Sequence, residues 1–411
     1  MKRFILLSVI SVIILGSCTP VIDKQVQPTA VVLDTETPQI EILPTEIETL
    51  SPSATPIPTE TPTLTPKPAF PNWIAFVNLN GNVILLDSQS GEEKALTSDG
   101  LSMTKTSSNP YIQYSYPTWS SDGLYLAFKK TINTPLPDRQ DYVDSLVVYD
   151  IRTDESQEIL AGESFTGFSW RPGTHIISYS LMTDPNYFTA RGAVDASLAK
   201  GILGFDVDTM QALELVPPRG YSLIWPRWSP DGRFVGFDEI LYMEGRGNFA
   251  YFDFEDQEYV SWNRPIGNYQ WSQDGENLVY DYLTYAANGE ERIFINDRYD
   301  EDETQIGDTE ENYYLSNPLF SPGDGQIIYK ETDLSLDINA TQLVVMNLES
   351  KHKEVILESA DVFDVLWSTD GETILTVIGP YNSPTLMEVN LYDLTTREIG
   401  NGWWPAWQPI Q

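Results

Sequence analysis

The chain has 411 residues, 24 of them basic and 60 acidic, for a formal net charge of −36. So acidic a surface repels phosphate backbones and anionic lipid, which argues against nucleic acid as a partner and favours neutral or basic ligands. A single cysteine rules out an internal disulfide.

Lys2 and Arg3 precede an apolar or small-polar run from Phe4 to Leu15, too short to span a bilayer as a mature helix. Residues 1–17 therefore read as a signal peptide. The run ends in Leu15-Gly16-Ser17-Cys18, which resembles the lipobox of bacterial lipoproteins. That resemblance implies lipidation of Cys18, with the protein exported and held at the cell envelope by its lipid, on the outer face of the cytoplasmic membrane, in the periplasm or at the cell surface. Loss of Lys2 and Arg3 with the signal leaves a mature charge of −38. Residues 18–71 follow as a stalk. From Thr19 to Pro71 there are 11 Pro and 11 Thr in 53 residues, and no aromatic before Phe70. Such a segment buries no core and favours extended polyproline geometry.

Residues 72–411 exceed what one hydrophobic core supports, and they contain a repeat. Trp119-Ser120-Ser121-Asp122-Gly123 leads to Leu126-Ala127-Phe128, and Trp228-Ser229-Pro230-Asp231-Gly232 leads to Val235-Gly236-Phe237. Trp271-Ser272-Gln273-Asp274-Gly275 and Trp367-Ser368-Thr369-Asp370-Gly371 repeat the start. Weaker copies begin at Trp170-Arg171-Pro172-Gly173 and at Phe320-Ser321-Pro322-Gly323-Asp324-Gly325. Each copy predicts a hairpin: an aromatic ends one strand, Asp and Gly form a tight turn, and an apolar strand follows. Third strands are expected over 146–150, 202–206, 249–254, 293–296, 343–348 and 387–394, with short fourth strands such as 354–357.

Four strands per unit at this spacing predict β-propeller blades. The repeat resembles the TolB-type, WD-like propeller repeats, also found in the propeller domains of dipeptidyl peptidases. The expectation is an all-β, seven-bladed propeller with four-stranded antiparallel blades. Residues 73–76, 82–87 and 94–97 supply three strands of a composite blade, and Trp403-Trp404-Pro405-Ala406-Trp407 supplies its first, closing the ring.

Catalytic sets are sparse. There is no Gly-x-Ser-x-Gly elbow, and peptidases of the related kind carry their serine on a separate hydrolase domain. His175 falls at the start of an expected blade strand and His352 in a polar hairpin turn, and each reads as a surface or turn histidine rather than a catalytic base. Asp122, Asp231, Asp274 and Asp370 belong to the turns, and Asp297, Asp300, Glu301, Asp302 and Glu303 read as a solvated turn without EF-hand spacing. No cofactor or metal is expected. Strand parity puts the long insertions 98–116, 129–145 and 181–201 on the face opposite the Asp-Gly turns. Three residues before each repeat aromatic, at the expected channel mouth, stand Tyr116, Gly167, Trp225, Asn268, Asn317, Asp364 and Trp404. Beside them are Tyr114, Tyr221, Tyr269, Tyr313, Tyr314, Phe363 and Trp403. Aromatics among amides and a carboxylate suit a protein, peptide or glycan ligand. The reading is a monomeric, lipid-anchored binding or scaffold protein, not an enzyme. Its alternative is a carbohydrate-active enzyme, a glycosidase or lyase, using acidic residues in the channel.

Overall fold

The structure is a computed structural model and describes residues 73–181, 196–240, 247–283, 291–307, 313–335, 340–359 and 361–409. Cys18, the leader, the stalk and most of the expected 181–201 insertion lie outside the described residues.

The chain opens with β1 (Trp73–Asn78), β2 (Val83–Asp87) and β3 (Glu93–Ala95). A first complete antiparallel sheet follows, made of β4 (Tyr111–Trp119), β5 (Tyr125–Pro135), β6 (Gln140–Asp150) and β7 (Glu155–Ala161). The second sheet has β8 (Phe165–Trp170), β9 (Ile176–Leu181), β10 (Ile202–Asp206) and β11 (Gln211–Val216). The third has β12 (Ser222–Trp228), β13 (Phe234–Ile240), β14 (Asn248–Asp253) and β15 (Glu258–Ser261). The fourth has β16 (Tyr269–Trp271), β17 (Asn277–Leu283), β18 (Glu291–Asp297) and β19 (Thr304–Ile306). The fifth has β20 (Tyr313–Phe320), β21 (Gln326–Asp333), β22 (Ala340–Asn347) and β23 (Lys353–Ser359). The remaining strands are β24 (Val362–Trp367), β25 (Thr373–Ile378), β26 (Thr385–Asn390) and β27 (Thr396–Trp407). They join the first three in one sheet of order β24-β25-β26-β27-β1-β2-β3.

β27 is the hinge of that last sheet. Its first half pairs with β26, as in Val389↔Thr396, and its second half pairs with β1, as in Ile74↔Trp407 and Val77↔Trp403. The first and last strands of the body are therefore hydrogen-bonded to each other. Apolar side chains fill the spaces between sheets. Ala75, Val77, Val83 and Leu85 pack with Tyr114, Trp119, Leu126 and Phe128 of the first sheet. Phe234, Phe249 and Tyr251 meet Tyr269, Trp271 and Tyr280 between the third and fourth. Val377 and Leu386 meet Phe76, Ile84 and Leu86 within the composite sheet. This all-β arrangement of mostly four-stranded antiparallel sheets is that of a β-propeller.

The repeated turns form as their residues dictate. Ser120 Oγ donates to Asp122 Oδ1 at 2.6 Å and accepts Tyr125 N–H at 3.0 Å, while Asp122 Oδ1 accepts Leu124 N–H at 3.1 Å. Ser229 with Asp231, Ser272 with Asp274 and Ser368 with Asp370 repeat the hydroxyl–carboxylate bond. Gly123, Gly232, Gly275 and Gly371 sit at φ of 68°, 72°, 72° and 74°, where a side chain would strain the backbone. In the fifth sheet Asp324 takes that conformation, at φ 55°, at the equivalent position of a turn of the same length.

One expectation is corrected. The insertion 129–145 is not a loop: β5 and β6 pair continuously out to Pro135↔Gln140, leaving only residues 136–139 as the turn. Beyond the body both faces of this hairpin meet solvent, so its apolar and polar residues do not alternate as a half-buried strand's do.

His175 is the link between two turns of one face. Its Nε2 is 2.8 Å from Asp122 Oδ2 of the first sheet, and its Nδ1 is 2.8 Å from Asp208 Oδ2, after β10. The Tyr125 ring packs edge-on at 4.8 Å and is itself covered by Arg152, which pairs with Asp150. Burial works against protonation of His175, but the bonds to Asp122 and Asp208 outweigh it and raise its pKa. A raised folded-state pKa contributes stability that is full below the unfolded value of about 6.5 and is lost as pH rises through the folded value. His175→Gln should therefore lower stability by about 1 kcal/mol at pH 5.5, since charge-assisted bonds are lost, and much less at pH 8.5. Urea unfolding of both proteins at the two pH values checks this; equal losses at both would contradict it.

Candidate functional site

The innermost strands of several sheets carry a β-bulge, and the expected site residues other than Asn268 fall on it. The pairing shifts between Ser115 and Thr118, between Phe165 and Gly167, between Ile224 and Arg227, between Ser316 and Leu319, and between Val362 and Val365. Tyr116, Trp225, Asn317 and Trp404 sit at φ of 55°, 55°, 53° and 52°. A left-handed conformation is unusual for any side chain and more so for Tyr or Trp; each costs on the order of 1–2 kcal/mol that the surroundings must offset. Gly167, Asn268 and Asp364 hold the equivalent positions without a positive φ.

Buried acceptors supply part of the offset, from a neighbouring sheet for Trp225 and Asn317 and from β24 of the same sheet for Trp404. Trp225 N–H donates to Ser180 Oγ of the second sheet at 3.2 Å. Asn317 N–H donates to Asp281 Oδ2 of the fourth at 2.8 Å, and Asp281 also accepts Asn268 N–H at 2.8 Å and Asn268 Nδ2–H at 3.0 Å. Trp404 N–H donates to Asp364 Oδ2 at 3.2 Å. Asp281 is wholly buried, so its carboxylate is a structural latch between the fourth and fifth sheets.

The bulge residues also touch one another. The Tyr116 and Trp404 rings lie 4.7 Å apart, tilted by 45°. Trp225 covers Gly167 so closely that a Cβ there would come within 3.1 Å of Trp225 Cδ1. Tyr116 is 53% exposed and Trp225 48% exposed, unusual for large aromatics held by strands. Burial, then the charge of Asp364 and the neighbouring Tyr381, raises the Tyr116 pKa. Lys330 Nζ donates to Phe363 O at 2.5 Å. Burial lowers the Lys330 pKa, against the pull of Asp364 and Asp281. Burial raises that of Asp364, against the Trp404 N–H and Lys330. The structure thus gathers Tyr116, Trp404, Asp364 and Lys330 in one place, Asn268 and Asn317 around Asp281 in another, and Trp225 over Gly167.

Of the accompanying aromatics, Tyr114, Tyr269 and Trp403 are buried and belong to packing, whereas Tyr221 is exposed. Three contributors escaped the sequence reading. Ser180, Asp281 and Lys330 each follow a second-strand aromatic, in Tyr179-Ser180, Tyr280-Asp281 and Tyr329-Lys330, and Phe128-Lys129 and Phe237-Asp238 match the pattern. A polar residue recurring directly after the apolar run is the signal that marks them. Tyr381, 52% exposed and 6.3 Å from the Phe363 ring, lies in a loop that strand parity puts on this same side. Both histidines lie elsewhere: His175 and His352 occupy turns on the opposite face.

No family model matches the chain, and no curated protein matches it. Solved structures do. An oligogalacturonate lyase in complex with manganese superposes with a TM-score of 0.56 at 12% identity over 78% of this chain and 84% of that one. The β-propeller domain of the Trilobed protease from Pyrococcus furiosus does so with a TM-score of 0.51 at 14% identity, over 72% and 86%. TolB from Acinetobacter baumannii gives a TM-score of 0.47 at 12% identity, over 82% of this chain and 66% of its own. The likeness is one of fold, and it bears out the propeller that the Trp-Ser-x-Asp-Gly repeats predict.

Proposed function

We propose that this protein is an exported, lipid-anchored binding protein whose bulge face engages a ligand at the cell envelope. The observation that carries the reading is the set of bulky aromatics, Tyr116, Trp225 and Trp404, held in strained left-handed backbone, with Tyr116 and Trp225 exposed and Trp404 partly buried, and with Asp364 and Lys330 beside the Tyr116–Trp404 pair. Strain retained at exposed aromatics and latched by buried polar groups fits a preorganised binding surface. A role in binding rather than turnover agrees with the lack of a nucleophile elbow in the sequence and with both histidines lying on the other face.

The same proposal takes the composite sheet as two blades that share β27, giving seven blades in a closed ring. Supporting it are the β1–β27 pairing and the core shared by β1, β2 and the first complete sheet. Trp73 and Trp407 lie at paired strand ends on the turn face. The leader and the lipobox-like Leu15-Gly16-Ser17-Cys18 support the anchor.

Cys18→Ser should move the protein from the membrane to the soluble fraction, because the lipid supplies the membrane affinity and the stalk has none. Fractionation reads this directly, and unchanged membrane retention would remove the anchor from the account. For the face, the triple variant Tyr116→Ala, Trp225→Ala and Trp404→Ala should weaken binding of envelope glycans or peptides retained by the wild type by about 1–3 kcal/mol per desolvated aromatic. Tyr392→Ala, a fully exposed change on the turn face, should leave it alone. Affinity that survives the triple change in folded protein would place the binding surface elsewhere, and hydrolysis or elimination of a retained glycan would replace binding with catalysis.

A further inference from the structure

An extended peptide adheres to a sheet chiefly through main-chain hydrogen bonds to unpaired N–H and C=O groups. At four of the seven equivalent positions that donor is already used: Trp225 N–H by Ser180, Asn268 and Asn317 N–H by Asp281, and Trp404 N–H by Asp364. What the face offers is ring area and side-chain polar atoms. Tyr116 meets Trp404 at 4.7 Å, and Tyr381 is half exposed with its ring 6.1 Å from Trp403 and 6.3 Å from Phe363. Asp364 has one of its carboxylate oxygens on the Trp404 N–H, and Lys330 has one of its three donors on Phe363 O. Acceptor and donor capacity is left on both, within reach of the same rings.

A ligand that matches this has an apolar face to lie on an aromatic and a rim of groups that both donate and accept. A pyranose ring is built so: its C–H groups stack, and its hydroxyls bond carboxylate, ammonium and amide alike. Charge narrows the class further. With 60 acidic residues against 24 basic, and carboxylates at Asp281 and Asp364 beside the Lys330 ammonium, a polyuronate would meet net repulsion. We propose that the bulge face binds a neutral oligosaccharide, one pyranose lying on the Tyr116–Trp404 pair with its hydroxyls bonded to Asp364 and Lys330. This rests on the reading of that face as the binding surface, and it names the ligand's chemistry.

The test is calorimetric titration of the full chain in detergent with neutral hexasaccharides (β-1,4-glucan, β-1,4-mannan, β-1,4-xylan and α-1,4-glucan), with hexagalacturonate, and with random decapeptides. Folding of every variant is checked by circular dichroism. The expected result is saturable binding of at least one neutral hexasaccharide and little of hexagalacturonate. Tyr116→Ala and Asp364→Asn should each raise Kd at least tenfold, and Tyr392→Ala should leave it unchanged. Asp364→Asn keeps an acceptor for the Trp404 N–H, so loss of affinity there reports on the ligand rather than on the fold. Binding of decapeptides or hexagalacturonate in place of neutral sugars, with the same dependence on Tyr116, would overturn the sugar assignment and leave the binding face standing. A neutral sugar whose Kd ignores both substitutions would overturn the face itself. No binding of any neutral hexasaccharide overturns the assignment as well.

Discussion

The fold depends on one recurring contact, the hydrogen bond from a repeat tryptophan's indole N–H to the innermost strands of the preceding sheet. Trp170 reaches Thr118 O at 2.9 Å, Trp228 reaches Ser178 Oγ at 2.9 Å, and Trp271 reaches Arg227 O at 3.3 Å. Trp119 of the first complete sheet reaches back to Ala406 O, at the far end of the chain, at 3.2 Å. A buried indole N–H left without an acceptor costs about 1–3 kcal/mol, so each tryptophan is placed correctly only when the preceding sheet is too. The contact thereby turns a local hairpin signal into a rule for how sheets stack. Trp367 and Trp407 lack it, their indole nitrogens being buried without a hydrogen-bond partner.

Sheet-to-sheet placement explains why the bulges can exist. A left-handed Trp is unfavourable in an isolated strand, yet here its N–H points at an acceptor that another strand must bring, Ser180 of the neighbouring sheet for Trp225 and Asp364 of β24 for Trp404. Ser180, Asp281 and Asp364 are thus at once packing elements and the supports of the exposed face. A substitution that loosened the stacking would blur that face before it unfolded the protein, because the rings owe their orientation to a neighbour and not to their own strand.

Much of this was legible in the sequence because its causes are local. Ser, Asp and Gly at fixed offsets make the turn by bonds that span only a few residues, from Ser120 to Tyr125 for example, so the hairpins and their common face follow from spacing alone. The alignment that picked out Tyr116, Trp225, Asn317 and Trp404 found one structural position for the same reason. Non-local features were not legible. That Asp281 would bond Asn317, 36 residues away in the next sheet, depends on register between sheets, which no local pattern encodes. The hairpin over 129–145 looked like a loop because strands beyond the body lose the alternation that burial imposes, and the burial of Tyr114, Tyr269 and Trp403 could not be told from exposure by residue type.

The central claim is that the two ends of the body form one cooperative structure with everything between them, the rigidity on which a preorganised face relies. Native-state amide hydrogen exchange of the full chain tests it most directly. The account predicts that Ala75 and Val77 of β1 and the paired residues Trp403 and Ala406 of β27 exchange only through global unfolding, at the same free energy as the central strands of the complete sheets. Exchange of that pairing at a distinctly lower free energy, as a separately opening unit, would contradict it.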